Sequence, residues 1–363
     1  MLTYAPPWRQ YRESISNCRR YLTVTKTCVA QRFNIKAITI LAFTFMALIG
    51  GAVKDARSQI RVNSEIVVVP VTVRDADGEF VQGLTKDDFT VLEDGKVQEI
   101  SSFDNEPQPM SAAIVIDDGI GGIAIHRVAS QLQVLAAGFT SKDEVSVFRY
   151  SGVVDRLSDF STDPKLMLQS FVVISKIAEG REEEQGELIT GGPGWLRSVL
   201  GIFPDGSKGT AKNHVLHNAI YEAATALQNR PRGTRRVIFI VSDGVASGHA
   251  NTHSLKDNTE ILLKNDIQVF AVSTAYASFG SYGALSSYAS ATGGDVHNGA
   301  TDEAMEHAFN RVTEQARRQY ILGYASTNTS TKPGVFRKIE VRTPQKNLKL
   351  TYRSGYTRYT AEK

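Results

Sequence analysis

Cysteine is almost missing from this 363-residue chain. Its two cysteines, Cys18 and Cys28, both precede an apolar run at residues 37–49, so the body that follows has no thiol for a disulfide framework, a Cys-ligated metal or a thiolate nucleophile. No Cys follows the run either, which argues against lipid attachment of the bacterial lipoprotein kind. An excess of basic charge is missing as well. Residues 1–52 hold seven Lys/Arg (Arg9, Arg12, Arg19, Arg20, Lys26, Arg32, Lys36) against Glu13, and taking these from the totals of 41 and 38 leaves 34 basic and 37 acidic residues from residue 53 on. A body of net charge −3 lacks the clustered Lys/Arg on which non-specific nucleic-acid affinity depends, so no nucleic-acid partner is expected. Familiar catalytic signatures are missing too. There is no G-x-S-x-G elbow, and Gly191-Gly192-Pro193-Gly194 lacks the Lys-Ser/Thr that completes a phosphate-cradling loop. No internal repeat or long low-complexity tract interrupts the chain.

What is present begins with an export signal. The run AITILAFTFMALI (37–49) is uncharged, follows basic residues and precedes Gly50-Gly51-Ala52, the layout of a cleavable signal peptide. At its widest, Ile35 to Val53, it is a marginal single membrane anchor, since a spanning helix needs about 20 apolar residues. Residues 1–36 form a basic leader, placed in the cytoplasm by its charge. Residues 37–53 are the signal or anchor, and the remainder is expected outside the cytoplasm: periplasmic, in the cell envelope or secreted.

Residues 62–107 read as a β segment with turns at Asp77-Gly78 and Asp94-Gly95 between alternating runs. Such a short segment cannot build a core alone. Matching alternation recurs at 318–326, 335–343 and 349–358, so residues 318–358 are expected to pair with 62–107 in a small β-sandwich made from both ends of the chain. The middle, 110–317, alternates strands at 112–117, 144–150, 235–243 and 267–273 with amphipathic stretches at 126–139, 164–177, 214–229, 254–265 and 301–318. That rhythm predicts an α/β domain with a doubly wound, mostly parallel sheet inserted into the sandwich. Residues 178–212 break the rhythm with REEEQGE, GGPGW and an apolar cluster from Trp195 to Phe203. They read as a solvated acidic turn followed by a short packing helix, or as a partner-binding flap.

Doubly wound sheets bind ligands outside the carboxyl ends of their strands. Two strand ends bring acids there: Asp117-Asp118 after AAIVI, and Asp243 after VIFIVS, with the helix beginning at His214 opening near the same edge. Carboxylates so gathered suit a hard cation. Several ordered blocks, VPVTVRDADGEFVQGLTKDDFTVLEDGKVQEISSF, IVIDDGIGG, RRVIFIVSDG, TGGDV and RQYILGY, resemble the VWFA-related family of exported bacterial proteins of acidobacterial type, over residues 62–357. The resemblance implies a von Willebrand factor A domain, a binding module and not an enzyme, meeting a protein or cell-surface ligand at a metal-ion-dependent adhesion site. That site takes Asp-x-Ser-x-Ser from the first strand end, a Thr from a later loop and the Asp of Ser-Asp-Gly. Here Asp117 and Asp243 match the two Asp, Gly119 and Gly121 stand at the Ser positions, and His214 stands at the Thr position. Three hydroxyl ligands are thus replaced, with Asp118 as an extra acid. The expectation is a degenerate site with no resident cofactor, Mg2+ or Ca2+ being the ions that the family pattern would supply. A zinc-dependent hydrolase is the alternative from another class: His214 and His217, with His249 and His253, flank Asp243, and imidazole plus carboxylate suits Zn2+. Against it, no Glu sits between the histidines as in H-E-x-x-H.

Overall fold

A computed structural model of the chain describes residues 66–189, 213–231, 233–275, 283–328 and 334–357; the leader, the apolar run and residues 190–212 with their Trp195 cluster lie outside these. Among the described residues no helix is long and apolar enough to cross a membrane.

The two ends of the chain do meet. Strands β1 (Ile66–Arg74), β2 (Thr90–Glu93), β3 (Lys96–Gln98) and β4 (Ile100–Asp104) precede the middle, and β11 (Tyr320–Ala325), β12 (Phe336–Arg342), β13 (Lys349–Tyr352) and β14 (Gly355–Thr357) follow it. They form two four-stranded sheets, ordered β13-β1-β11-β4 and β14-β12-β2-β3, each mixing early and late strands. Register places Val69 opposite Leu322 and Val91 opposite Val341. The alternating strands turn Val67, Val69, Val71 and Val73 inward against Val91, Leu322, Tyr324, Ile339 and Val341, all buried. The β2–β3 turn falls on Asp94 (φ 49°) and Gly95 (φ 81°), the two left-handed residues that a tight hairpin of this hand requires.

Between these strands lies a six-stranded sheet made of β5 (Met110–Asp117), β6 (Glu144–Tyr150), β7 (Val154–Ser161), β8 (Arg235–Ser242), β9 (Ile267–Ser273) and β10 (Val296–Asn298). Its order is β10-β9-β8-β5-β6-β7, parallel except for the edge strand β7. Helices α1 (Gly122–Ala137), α2 (Pro164–Ile189) and α6 (Asp302–Arg317) cover one face; α3 (Leu216–Gln228), α4 (Leu255–Lys264) and α5 (Gly283–Thr292) cover the other. The continuous apolar text of β5 serves both layers: Ala112, Ile114 and Ile116 pack with α1, α2 and α6, while Ala113 and Val115 pack with α3. The expected doubly wound domain, inserted into a sandwich of the chain's two ends, is the architecture found.

Three details differ from expectation. Helix α2 continues to Ile189, so the charged start of the expected insertion is helix and not a turn; Arg, Glu and Gln are good helix formers, and Gly180 and Gly186 cost only about 1 kcal/mol each. Strand β7 had no sequence signal, because VDRLSDFS spaces three apolar residues among polar ones without strand alternation and none is fully buried. The TGGDV block, whose Thr292-Gly293-Gly294 reads in sequence as a helix cap and turn, is also a packing device. Gly293 has φ 79°, and a side chain there would run into the backbone of Tyr352 and Arg353, as one at Gly294 would run into the Val269 carbonyl. Two glycines thus let the sandwich strand β13 and the sheet strand β9 close on the end of α5.

At the amino edge of the sheet, Asp143 is fully buried and accepts hydrogen bonds from the N–H groups of Met110 (2.9 Å) and Thr140 (2.6 Å), and from Arg317 at 2.5 Å. Burial alone would raise this carboxyl, but Arg317 and the N–H donors outweigh it and hold it below the usual range. With its folded value below the unfolded one of about 3.9, Asp143 contributes stability above that pH, and the contribution is lost as pH falls through the folded value. Urea titrations at pH 7, 5, 4 and 3 are expected to show a steep acid decline that is shallower in Asp143→Asn. Parallel declines in the two proteins would remove Asp143 as the cause.

Candidate functional site

The strand order reverses between β5 and β8: the chain leaves β5 for β6 on one side and returns to β8 on the other. A crevice at the carboxyl ends of these strands follows from that topology. Asp117 is the last residue of β5, Asp243 follows the last residue of β8, and His214 lies two residues before α3. Ligand atoms from these three side chains lie within 4.8 Å of one another.

The surrounding loops fix His214 by its backbone. Its N–H donates to Ser247 Oγ at 2.9 Å, while its carbonyl accepts from the Ser247 N–H and from Asn251 Nδ2, each at 2.9 Å. Val215 N–H in turn donates to the Ser151 carbonyl at 3.0 Å, tying the start of α3 to the end of β6. The His214 side chain is 9% exposed, and its Nδ1 stands 3.7 Å from Asp117 Oδ2, too far for a hydrogen bond, with no other partner among the described residues. The Asp117 carboxylate raises the imidazole above its ordinary value, working against burial. Burial, reinforced by the charge of Asp117, likewise raises Asp243, whose Oδ1 accepts the Val245 N–H at 2.8 Å.

Asp117 is itself fully buried and held by Gly119, Ser242 and a residue that the sequence did not single out, Tyr150. Its Oδ1 accepts the Gly119 N–H at 3.0 Å. Its Oδ2, Tyr150 Oη and Ser242 Oγ form a triangle with sides of 2.8, 2.9 and 3.0 Å. Two hydroxyl protons serve those three contacts. Ser242 donates to Oδ2, and the Tyr150 hydroxyl lies within donating distance of both Oδ2 and Ser242 Oγ. Burial and the Asp117 charge push the Tyr150 phenol well up, so it remains a donor. Register already opposes Asp117 to Tyr150 across β5 and β6, a relation visible only once the strands are paired.

The other residues marked from sequence part company with this cluster. Asp118 turns to Arg149, 2.6 Å away, which also binds Asp155 at 2.5 Å. His217 bonds Tyr288 Oη at 2.8 Å on the far side of α3, His253 stacks on Tyr221 with centroids 3.5 Å apart, and His249 is exposed. Of the four histidines that a zinc hydrolase would recruit, His214 alone joins the carboxylates. Gly119 and Gly121 bring no hydroxyl, and Ser242, beside Asp243, uses its hydroxyl on Asp117. Beside the cluster, an open groove of about 380 Å3 runs along Gly152, Val153, Val215, Asn218 and Glu222 to His253.

No family model and no curated protein matches the chain. Among solved structures it is similar to the conserved hypothetical protein BatB from Bacteroides thetaiotaomicron, at 10% identity over 56% of this chain and 99% of that one, with a TM-score of 0.35. It is similar also to the vWF domain of the type V pili tip protein Mfa5 from Porphyromonas gingivalis (10% identity, 57% and 95% covered, TM-score 0.39). A third is proximal thread matrix protein 1 from the mussel byssus with a zinc-occupied MIDAS motif (10% identity, 62% and 49% covered, TM-score 0.38).

Proposed function

We propose that the chain is an exported, non-enzymatic interaction module of von Willebrand factor A type, whose edge at the carboxyl ends of β5, β6 and β8 meets a protein or cell-surface ligand. One observation carries this reading: Asp117, His214 and Asp243 converge at the point where the strand order of a doubly wound sheet reverses. The surface around them suits protein contact. Ile123, Val153 and Val245, on the segments that follow β5, β6 and β8, are 72%, 64% and 42% exposed, and the groove beside His214 adds concavity. Export rests on the basic leader and the apolar run at 37–53.

The Mg2+ ion that the family pattern implies finds a poor donor set here. Mg2+ requires near-octahedral oxygen ligation, and this chain offers glycine at both serine positions, an imidazole at the threonine position and an Asp118 engaged by Arg149. Recognition in this reading is therefore carried by the loop residues and the Asp/His/Asp cluster, without a step through Mg2+.

A photo-crosslinking amino acid placed singly at Val245, Val153 and, at the opposite edge, Lys142 tests the surface in cells of the source organism. A discrete protein adduct is expected from the first two positions and not from Lys142. Equal adducts from all three, or none from any, would remove this edge as the recognition surface.

A further inference from the structure

The mismatch with Mg2+ has a positive counterpart in the donors that are present. We infer that Asp117, His214 and Asp243 form a site for a zinc-class divalent ion, with His214 as the residue that shifts the preference away from Mg2+. The inference deepens the reading of this edge as ligand-facing, and concerns an ion that helps shape the surface; no bond-breaking chemistry is involved.

Three observations support it. First, the donor chemistry: two carboxylates and one imidazole are an N/O set suited to borderline ions such as Zn2+, whereas Mg2+ seeks oxygens only. Second, His214 Nδ1 is buried, has no hydrogen-bond partner among the described residues, and faces the Asp117 carboxylate at 3.7 Å. A dry nitrogen held open toward two acids is costly unless something fills the space between them. Third, the spacing. Two ligands at about 2.0–2.1 Å from a tetrahedral zinc lie roughly 3.4 Å apart, while neighbouring ligands of an octahedral Mg2+ lie only about 2.9 Å apart. The observed 3.7 Å between His214 Nδ1 and Asp117 Oδ2 is nearer the tetrahedral value.

The outer contacts have the form that such a site needs. Ligating carboxylates are held by hydrogen bonds from groups behind them. Asp117 has Gly119 N–H on one oxygen and the Tyr150–Ser242 pair on the other. Asp243 is fixed through Val245 N–H, and the His214 backbone is clamped by Ser247 and Asn251. Three protein ligands would leave one position of a four-coordinate zinc to a non-protein ligand such as water.

The test uses the full chain, purified in mild detergent and stripped with a chelator. Titration calorimetry with Zn2+ is expected to give one saturable site that millimolar Mg2+ does not displace, and Co2+ in its place is expected to give the intense visible absorption of four-coordinate cobalt. His214→Ala and, separately, Asp243→Asn should each weaken Zn2+ binding about 10-fold to 100-fold or more and lose that absorption. Asp243 stands on a half-buried loop, so its variant remains informative if His214→Ala fails to fold. Absence of saturable Zn2+ binding, weak six-coordinate cobalt spectra, or binding unchanged in both folded variants would each overturn the assignment. None of these outcomes bears on the crosslinking at Val245 and Val153, which tests the recognition surface independently of the ion.

Discussion

Arg337→Met is expected to destabilise the protein by about 3–5 kcal/mol, because it strips a buried carboxylate of its only charged partner among the contacts described. The Arg337 and Glu93 side chains are 2% and 0% exposed and meet at 2.9 Å. Glu93 Oε1 also accepts from Ser326 at 2.7 Å, and Oε2 accepts from Tyr324 at 2.9 Å and Tyr356 at 3.0 Å. These residues come from β2, the end of β11, β12 and β14, so one ionic network joins early and late segments of the chain across both sheets of the sandwich. Burying a lone carboxylate costs far more than the pair contributes relative to apolar residues of the same size. The double variant Arg337→Met with Glu93→Leu should therefore recover part of the loss, leaving the unpartnered Tyr324 and Tyr356 hydroxyls as the residual cost of about 1–3 kcal/mol each. Urea unfolding followed by circular dichroism reads both. A single variant within about 1 kcal/mol of the parent would mean the pair is wet and the two ends are joined by apolar packing alone.

The parts of the fold legible in the sequence were those written in apolar periodicity. AAIVID and VIFIVS are short runs apolar enough to be strands buried on both faces, and the text of α3 and α6 repeats at helical spacing; their alternation implies a parallel sheet and hence a ligand edge at Asp117 and Asp243. The pairing of the two ends was legible because a 45-residue β segment must find strands elsewhere. What escaped was set by tertiary contacts. Mostly polar β7 is a strand because β6 offers it an edge. Asp118 is adjacent to Asp117 in sequence, but successive residues of an extended chain point to opposite sides, and Arg149 on β6 takes it. Tyr150 carries no motif; its role at Asp117 follows from strand register. The histidine pairs looked alike in sequence, yet helical geometry turns His217 toward Tyr288 while His214, just before the helix, faces the crevice.

Asp117→Ala is expected to be nearly as damaging as the loss of Arg337, and for a reason that changes how the site must be dissected. The carboxylate is wholly buried and serves the Gly119 N–H and the Tyr150 and Ser242 hydroxyls; removing it leaves donors from three strand ends without an acceptor in a space that water does not reach. At about 1–3 kcal/mol for each unsatisfied group, and with partial relaxation of the two hydroxyls toward each other, the expected loss is about 3–5 kcal/mol. Asp117→Asn keeps the shape and one acceptor oxygen, and Ser242 can turn its hydroxyl to accept from the new amide, so its loss should stay within about 1–2 kcal/mol. Urea midpoints of the two variants therefore separate the internal role of Asp117 from any role toward a ligand. Equal midpoints for Ala, Asn and the parent would show that the triangle contributes nothing, leaving Asp117 free to be read as a surface ligand. With the expected order, reduced binding by Asp117→Ala reports a disturbed edge, and the ligand-facing function of the cluster has to be measured at His214 and Asp243, whose side chains support less of the surrounding structure.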